Sequence, residues 1–352
     1  MVDDFATSIT ERGKSTPLLF GPKGDRFDLT INSLFFRGDH SSELSMADLT
    51  LLTEENRGIM VPLRLGFSAR NLPVIGTNAD YFTTRSITAE RGTVPLMLGE
   101  AALGSKCAKS LNVQIGDHIL TDQVNLYDLS ASYPLKLKVV GFLNQTNSAD
   151  DNAIFTSIET AWVISGLGHG HESIDDETKT DKLLSKTKKQ ITANASIEQF
   201  IEINESNMHQ FHFHSDPALL PLTSIIGFPK SRKDGTILKT KYLHHQKIQA
   251  LEPSKVIGEL LDVVIRLKRL FDSSYVITAL AASLFLTAIV LLSLQTRKRE
   301  LKTLFLMGCS RGTICMIFSV EIMILCIFSI LFALLGVYLF TFLGSDILQL
   351  LR

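Results

Sequence analysis

Four of the nine histidines fall into two alternating pairs, Gly168-His169-Gly170-His171 and Phe211-His212-Phe213-His214. On extended backbone, side chains at i and i+2 share a face, so each pair can aim two imidazoles the same way. Imidazole nitrogen suits Zn²⁺ or Cu²⁺, and a site needs three or four convergent donors. His169, His171, His212 and His214 are therefore the candidate metal ligands, with Zn²⁺ as the candidate ion and ordinary solvated histidines as the competing reading. The spacing alone does not bring the two pairs together. A second chemically pointed residue is Glu321, the one charge in the thirty residues from Thr313 to Phe342. An unpaired carboxylate in hydrocarbon costs a few kcal/mol. Glu321 is thus expected to face a helix bundle and to meet a hydroxyl, a backbone group or a base, or to be protonated, in a packing role rather than proton chemistry.

Other chemistry is excluded. Gly13-Lys14-Ser15-Thr16 imitates the tail of a phosphate-binding loop, but the glycine that must precede it is Ser8, and no strand leads in. The chain carries no H-E-x-x-H or C-x-x-C pattern. The four cysteines, Cys107, Cys309, Cys315 and Cys326, do not make a disulfide framework. With 35 Lys+Arg against 36 Asp+Glu and a net charge of −1, the chain lacks the basic excess of a nucleic-acid binder. At 45% hydrophobic and 20% charged it is not a disordered tail.

The elements that must position these residues begin with the apolar ones, because a mean hydropathy of +0.19 comes from their concentration in two places. Tyr275 to Leu294 is twenty residues without a charge, about 30 Å of helix, the thickness of a hydrocarbon core. Thr313 to Phe342 is the second such run. A helix apolar around its whole circumference for five turns reads as membrane-spanning, which assigns spans to 275–295 and 313–342 and leaves 343–352 as a tail. Between the spans, residues 296–312 hold Arg297, Lys298, Arg299, Lys302 and Arg311 against Glu300. Basic residues in a short loop mark the cytoplasmic side. Arg266, Lys268 and Arg269 flank the other end of the first span, but they belong to a long domain, where the charge rule is weaker. Residues 275–352 hold six basic and three acidic side chains, which leaves a net −4 on residues 1–274, the extracytoplasmic part. Its first twenty residues hold no apolar stretch able to start export, so this orientation implies a membrane helix ahead of the sequence.

Residues 1–253 read as mixed α and β. Asp28 to Phe36 alternates like a half-buried strand, Ile59 to Phe67 and Leu72 to Thr77 are strands cut by Pro62, Pro73 and Gly76, and Leu135 to Leu143 alternates most strongly. Glu100 to Leu111 has helical spacing, Glu159 to Ile164 is a helix stopping at Gly166, and Gly166 to Lys189 is a solvated loop leading into a polar helix. From Ser254, the candidate N-cap, residues Ile257, Leu260, Leu261, Val264, Leu267 and Phe271 recur on one helical face. This stalk, 254–274, meets no breaker before Tyr275, so one helix of roughly 40 residues is expected to run from the outer domain to the inner surface. In the 296–312 loop, Gly308 permits a left-handed exit from a short helix over Lys302 to Met307, and Ser310 can cap the next helix.

Residues 291–321, LLSLQTRKRELKTLFLMGCSRGTICMIFSVE, resemble the segment after the second membrane helix of MacB/FtsX-type ABC transporter permeases. The matching features are Arg297, Arg299 and Glu300, then Leu304 to Met307, Gly308, Ser310-Arg311 and Glu321. Pro73 to Phe82, Glu100 to Ile119 and Lys138 to Phe142 are similar to elements of the family's outer domain. The resemblance implies an α+β extracytoplasmic domain of the MacB periplasmic-core type, followed by an α-helical transmembrane region in a multi-pass protein of the bacterial inner membrane. It implies a non-catalytic subunit that transmits the work of a separate ABC ATPase, which binds the ATP and Mg²⁺, to an outer domain engaged in efflux or in lipoprotein or peptide handling. Arg297, Arg299, Glu300, Leu304, Gly308, Ser310 and Arg311 would be its ATPase-coupling element. Partners would be that ATPase, a second permease protomer, membrane lipid and a periplasmic adaptor or binding protein, without nucleic acid. The family has four membrane helices, so the chain is expected to lack the first and the last. The alternative is a membrane-anchored extracytoplasmic metal-binding or sensor protein with no ATPase.

Overall fold

Residues 2–37, 43–123, 134–171, 183–187, 190–193 and 200–350 are described by a computed structural model. Two units divide the chain, Met1–Ile265 and Arg266–Arg352. In the first, helix α1 (Val2–Lys14) leads into strand β1 (Leu18–Pro22) and helix α2 (Arg26–Phe35). Strand β2 (Leu44–Ser45), helix α3 (Met46–Glu54), strands β3 (Gly58–Ala69) and β4 (Leu72–Thr77) and helix α4 (Ala79–Thr84) follow. Strands β5 (Ala89–Gly92) and β6 (Glu100–Leu103), helix α5 (Ser105–Leu111) and strands β7 (His118–Leu120), β8 (Lys136–Leu143) and β9 (Ile154–Ser157) come next. Helix α6 (Ile158–Ile164) precedes the short strands β10 (Gly168–Gly170), β11 (Leu183–Thr187), β12 (Gln190–Ala193), β13 (Phe211–Phe213) and β14 (Pro221–Leu222). Strand β15 (Ser224–Pro229), helix α7 (Arg232–Leu243) and strand β16 (Ile248–Leu251) complete the sheet region.

A ten-stranded mixed sheet runs β16-β1-β15-β3-β4-β9-β6-β8-β5, with β7 also on β8. It is antiparallel except where β4 meets β9 and β6 meets β8. Leu19, Phe20, Val61, Leu63, Ile75, Ala102, Leu137, Val139, Phe155 and Ile225 are buried along its strands. The α+β class and the strands at 59–67, 72–77 and 135–143 are those the sequence predicts, and helix α6 ends before Gly166, whose φ is +79°.

Four local readings are corrected. Residues 28–35 are helix, because Asp25 caps α2 by accepting from the backbone N–H of Phe27 and Asp28, and Leu29, Thr30, Ser33 and Leu34 form its buried face. Glu100–Leu103 is a strand between β8 and β9, with helix beginning only at Ser105 past Gly104. Of Gly166 to Lys189, residues 172–182 and 188–189 lie outside the described residues, while 168–170 and 183–187 are strand; β11 pairs β12 as a hairpin where a polar helix was expected. Ser254 is not the cap of the long helix: α8 (Pro253–Thr296) starts one residue earlier, with Pro253 buried in its first turn, where a missing N–H costs nothing.

A buried polar cluster ties α1 to the sheet region. Arg12 donates to both carboxylate oxygens of Asp150 at 2.5 and 2.7 Å, to the Tyr81 hydroxyl at 3.0 Å and to the Leu34 carbonyl at 3.2 Å. Tyr81 in turn donates to Asp150 at 2.6 Å. The Arg12 and Asp150 side chains are 5% and 3% exposed. Burial alone would raise the Asp150 pKa, but the Arg12 charge and hydrogen bonds outweigh it and hold the carboxyl below its ordinary range. Burial pushes the Tyr81 phenol up to about 12.

Removing one partner strands a buried charge, so Arg12→Ala should cost about 3–5 kcal/mol of unfolding free energy. The single tryptophan, buried Trp162, reports it by fluorescence in urea. The Asp150 pKa is depressed on folding, so its contribution is present above the ordinary value of 3.8 and is lost as pH falls through the folded-state value. Wild type should therefore lose stability in acid more steeply than Asp150→Asn; equal slopes would refute the pairing.

Candidate functional site

Two places gather the residues singled out by the sequence. The first is the connection between the apolar helices. Helices α9 (Lys298–Leu306) and α10 (Arg311–Leu350) follow α8. The apolar stretches of α8 and α10 are long enough to cross a membrane and are 0% buried within the chain. Helix α9 begins a turn earlier than Lys302, since nothing between Lys298 and Lys302 breaks it. It ends in a Schellman turn: the N–H of Cys309 reaches the Leu304 carbonyl at 3.2 Å, and that of Gly308 the Phe305 carbonyl at 3.1 Å. Gly308 takes φ +96°, which a Cβ would strain.

Ser310 Oγ accepts from the Thr313 N–H at 3.1 Å and so caps α10. Arg311 lies over the Phe305 ring at 5.8 Å, closing the turn. Arg299 and Glu300 are exposed on α9, while Leu304 is half-buried. Glu321 pairs with Arg297, which donates to it at 2.9 Å; of the partners foreseen for that carboxylate, a base is the one present. The sequence names Arg297 and Glu321 separately, and their separation of 24 residues gives no local cue to the pairing.

The second place is the ribbon of β10 and β13, which pair antiparallel with His169 opposite His212, Gly168 opposite Phe213 and Gly170 opposite Phe211. Alternation sends the imidazoles to one face and the phenylalanines to the other. The glycines are what let the rings lie flat: a Cβ on Gly168 would stand 2.6 Å from Phe213 Cε1, and one on Gly170 2.6 Å from Phe211 Cε2. Phe213 meets Trp162 edge-on at 6.0 Å, and both phenylalanines pack on a buried cluster that includes Val163 and Ile164. Trp162 is fixed in turn by donating to the Pro221 carbonyl at 2.8 Å.

On the opposite face His169, His171 and His212 converge, uniting the two pairs, and His214 adjoins His169 and His212. One ring nitrogen from each of His169, His171 and His212 lies within 4.8 Å of the others. His214 Nε2 is 3.4 Å from His169 Nε2. Ring centroids of His169 and His212 are 4.9 Å apart, and those of His212 and His214 4.8 Å. His169, His171 and His212 are half-buried and His214 is exposed. Burial, and then the charge of His212, His214 and His171, hold the His169 pKa below its ordinary value, so the ring is neutral at neutral pH. Glycine opposite phenylalanine in each alternating pair is the sequence signal that could have joined them.

Among solved structures, the chain is similar to the periplasmic region of MacB from Actinobacillus actinomycetemcomitans, at 12% identity over 72% of this chain and 97% of that one, with a TM-score of 0.39. It is also similar to the extracellular domain of the noncanonic ABC-type transporter YknZ from Gram-positive bacteria, at 9% identity over 66% of this chain and 98% of that one, with a TM-score of 0.36. No family model and no curated protein matches the sequence.

Two outcomes follow from the local geometry. Ser310→Ala should remove about 1 kcal/mol from the first turn of α10, read as roughly fivefold faster hydrogen exchange at the Thr313 amide. Gly168→Val should displace the Phe213 ring, cost about 1–3 kcal/mol and shift Trp162 emission. An unchanged spectrum would contradict the packing described.

Proposed function

We propose that the chain is the permease subunit of an ABC transporter, a non-catalytic part that couples ATP hydrolysis on a separate chain to its extracytoplasmic domain. The observation that carries the reading is the connection between α8 and α10. A loop that merely returned the chain across a bilayer would need only polar residues. Here a separate helix, α9, is stopped by a Schellman turn at Gly308, locked by Arg311 on Phe305 and followed by a capped helix. Such a rigid, basic elbow, with Arg299 and Glu300 exposed, suits docking on a partner protein. The resemblance of residues 291–321 to the MacB/FtsX segment supports an ABC ATPase as that partner.

In this reading α8 and α10 cross the bacterial inner membrane with the elbow inside and residues 1–274 outside. Helix α8 enters the membrane without a break and serves as the mechanical link. Glu321 lies within the span and is met by Arg297 from its cytoplasmic end, which offsets the cost of a carboxylate there. The sheet domain handles an amphiphilic cargo such as a lipoprotein, lipid or peptide. A second permease protomer and a periplasmic adaptor or binding protein complete the assembly.

The test is co-purification of the chain from membranes of its own host. A P-loop ATPase should be recovered with wild type, and the triple variant Arg297→Ala, Arg299→Ala, Glu300→Ala should recover at least about tenfold less, the loss of some 1.4 kcal/mol. Recovery that is unchanged, or no ATPase with wild type, overturns the assignment. Impermeant labelling of single-cysteine variants in intact cells should reach residues 1–274 and spare Arg297 to Arg311; labelling of both regions alike would sink the topology.

A further inference from the structure

The permease reading makes no use of the histidine ribbon, and the ribbon's chemistry stands apart from it. Its phenylalanine face explains the packing; its histidine face buries little and brings together four groups that, as cations, would repel. We propose that His169, His171, His212 and His214 bind a divalent ion of the zinc class.

Three observations support the site. The first is distance. Two nitrogens bound to one tetrahedral zinc at about 2.0–2.1 Å lie about 3.3 Å apart, and His169 Nε2 and His214 Nε2 are 3.4 Å apart. That spacing is long for a nitrogen hydrogen bond and wide for neighbouring ligands of a square-planar copper, at about 2.8 Å. One ring nitrogen each from His169, His171 and His212 lie within 4.8 Å of one another, a distance that rotation of half-buried rings can close.

The second is tautomer. His212 Nδ1 lies 2.9 Å from the Gln210 carbonyl oxygen. A carbonyl only accepts, so Nδ1 carries the proton and the lone pair is left on Nε2. This is the outer hydrogen bond that orients a ligating imidazole. The third is donor type. The set is all imidazole, and neutral imidazole suits zinc, whereas magnesium and calcium call for oxygen. His214 is exposed and leaves an entry path. Bound metal would clip β10 to β13, a ribbon of three residues a strand that is otherwise held by its phenylalanines.

The full chain, purified in detergent without a polyhistidine tag and stripped with a chelator, is titrated with Co²⁺ and then Zn²⁺. One Co²⁺ per chain should bind with the intense visible bands of a tetrahedral centre, and equimolar Zn²⁺ should erase them. The double variant His169→Ala, His212→Ala should lose at least about 100-fold in affinity, and His169→Gln, which keeps size and polarity, should weaken binding while Trp162 emission stays unchanged. His244→Ala should bind as wild type does. Absence of micromolar binding by wild type, or binding undiminished in the double variant, overturns the site whether or not the permease reading holds.

Discussion

A guanidinium and a carboxylate closed off from water set the register of the sheet domain. Apolar side chains can slide past one another at modest cost, but Arg12 and Asp150, once buried, are stable only in register. Tyr81 bonds to both, and the Leu34 carbonyl takes the remaining Arg12 nitrogen. Helix α1, the end of α2, helix α4 and the turn before β9 are therefore fixed by a few polar atoms. The aromatic rings of Tyr81, Phe82, Phe36 and Phe155 then assemble around that point at centroid distances of 5.4 to 6.2 Å. Polar specificity sets the arrangement and apolar burial supplies the driving force.

The parts of this fold that can be read along the chain are those with strictly local causes. Strand β8 alternates because one face is buried, and β3 and β4 are apolar because they lie inside the sheet, so both patterns survive in the residue order. The stretch 28–36 misleads because Leu29, Ile31 and Ser33 alternate while Leu29, Thr30, Ser33 and Leu34 also make one helical face; the deciding residue is Asp25, outside the pattern. At 100–103, a short run with two alanines carries no period, and only neighbours β8 and β9 make it a strand. The Arg12–Asp150 pair spans 138 residues and leaves no trace in either neighbourhood.

The candidate sites divide the same way. The elbow is legible because Gly308 and Ser310 act on bonds within a few residues of themselves. The histidine pairs are each legible as strands with one polar face, but their meeting depends on a register set by glycine against phenylalanine across two distant segments. Sequence spacing reveals donors; sheet register decides whether they form a site.

Strand β1 follows α1, and β16, its antiparallel neighbour, leads through Glu252 into α8. Leu19 faces Leu251, so the way in and the way out of the sheet lie at the same end of one strand pair, and Ile9 and Ile257 share an apolar cluster there. Two tethers attached in this manner have a mechanical signature. Moved together, they carry the whole domain as a body; drawn apart, they would load first the Arg12–Asp150 pair that holds α1 and only then the rungs between β1 and β16, one at a time.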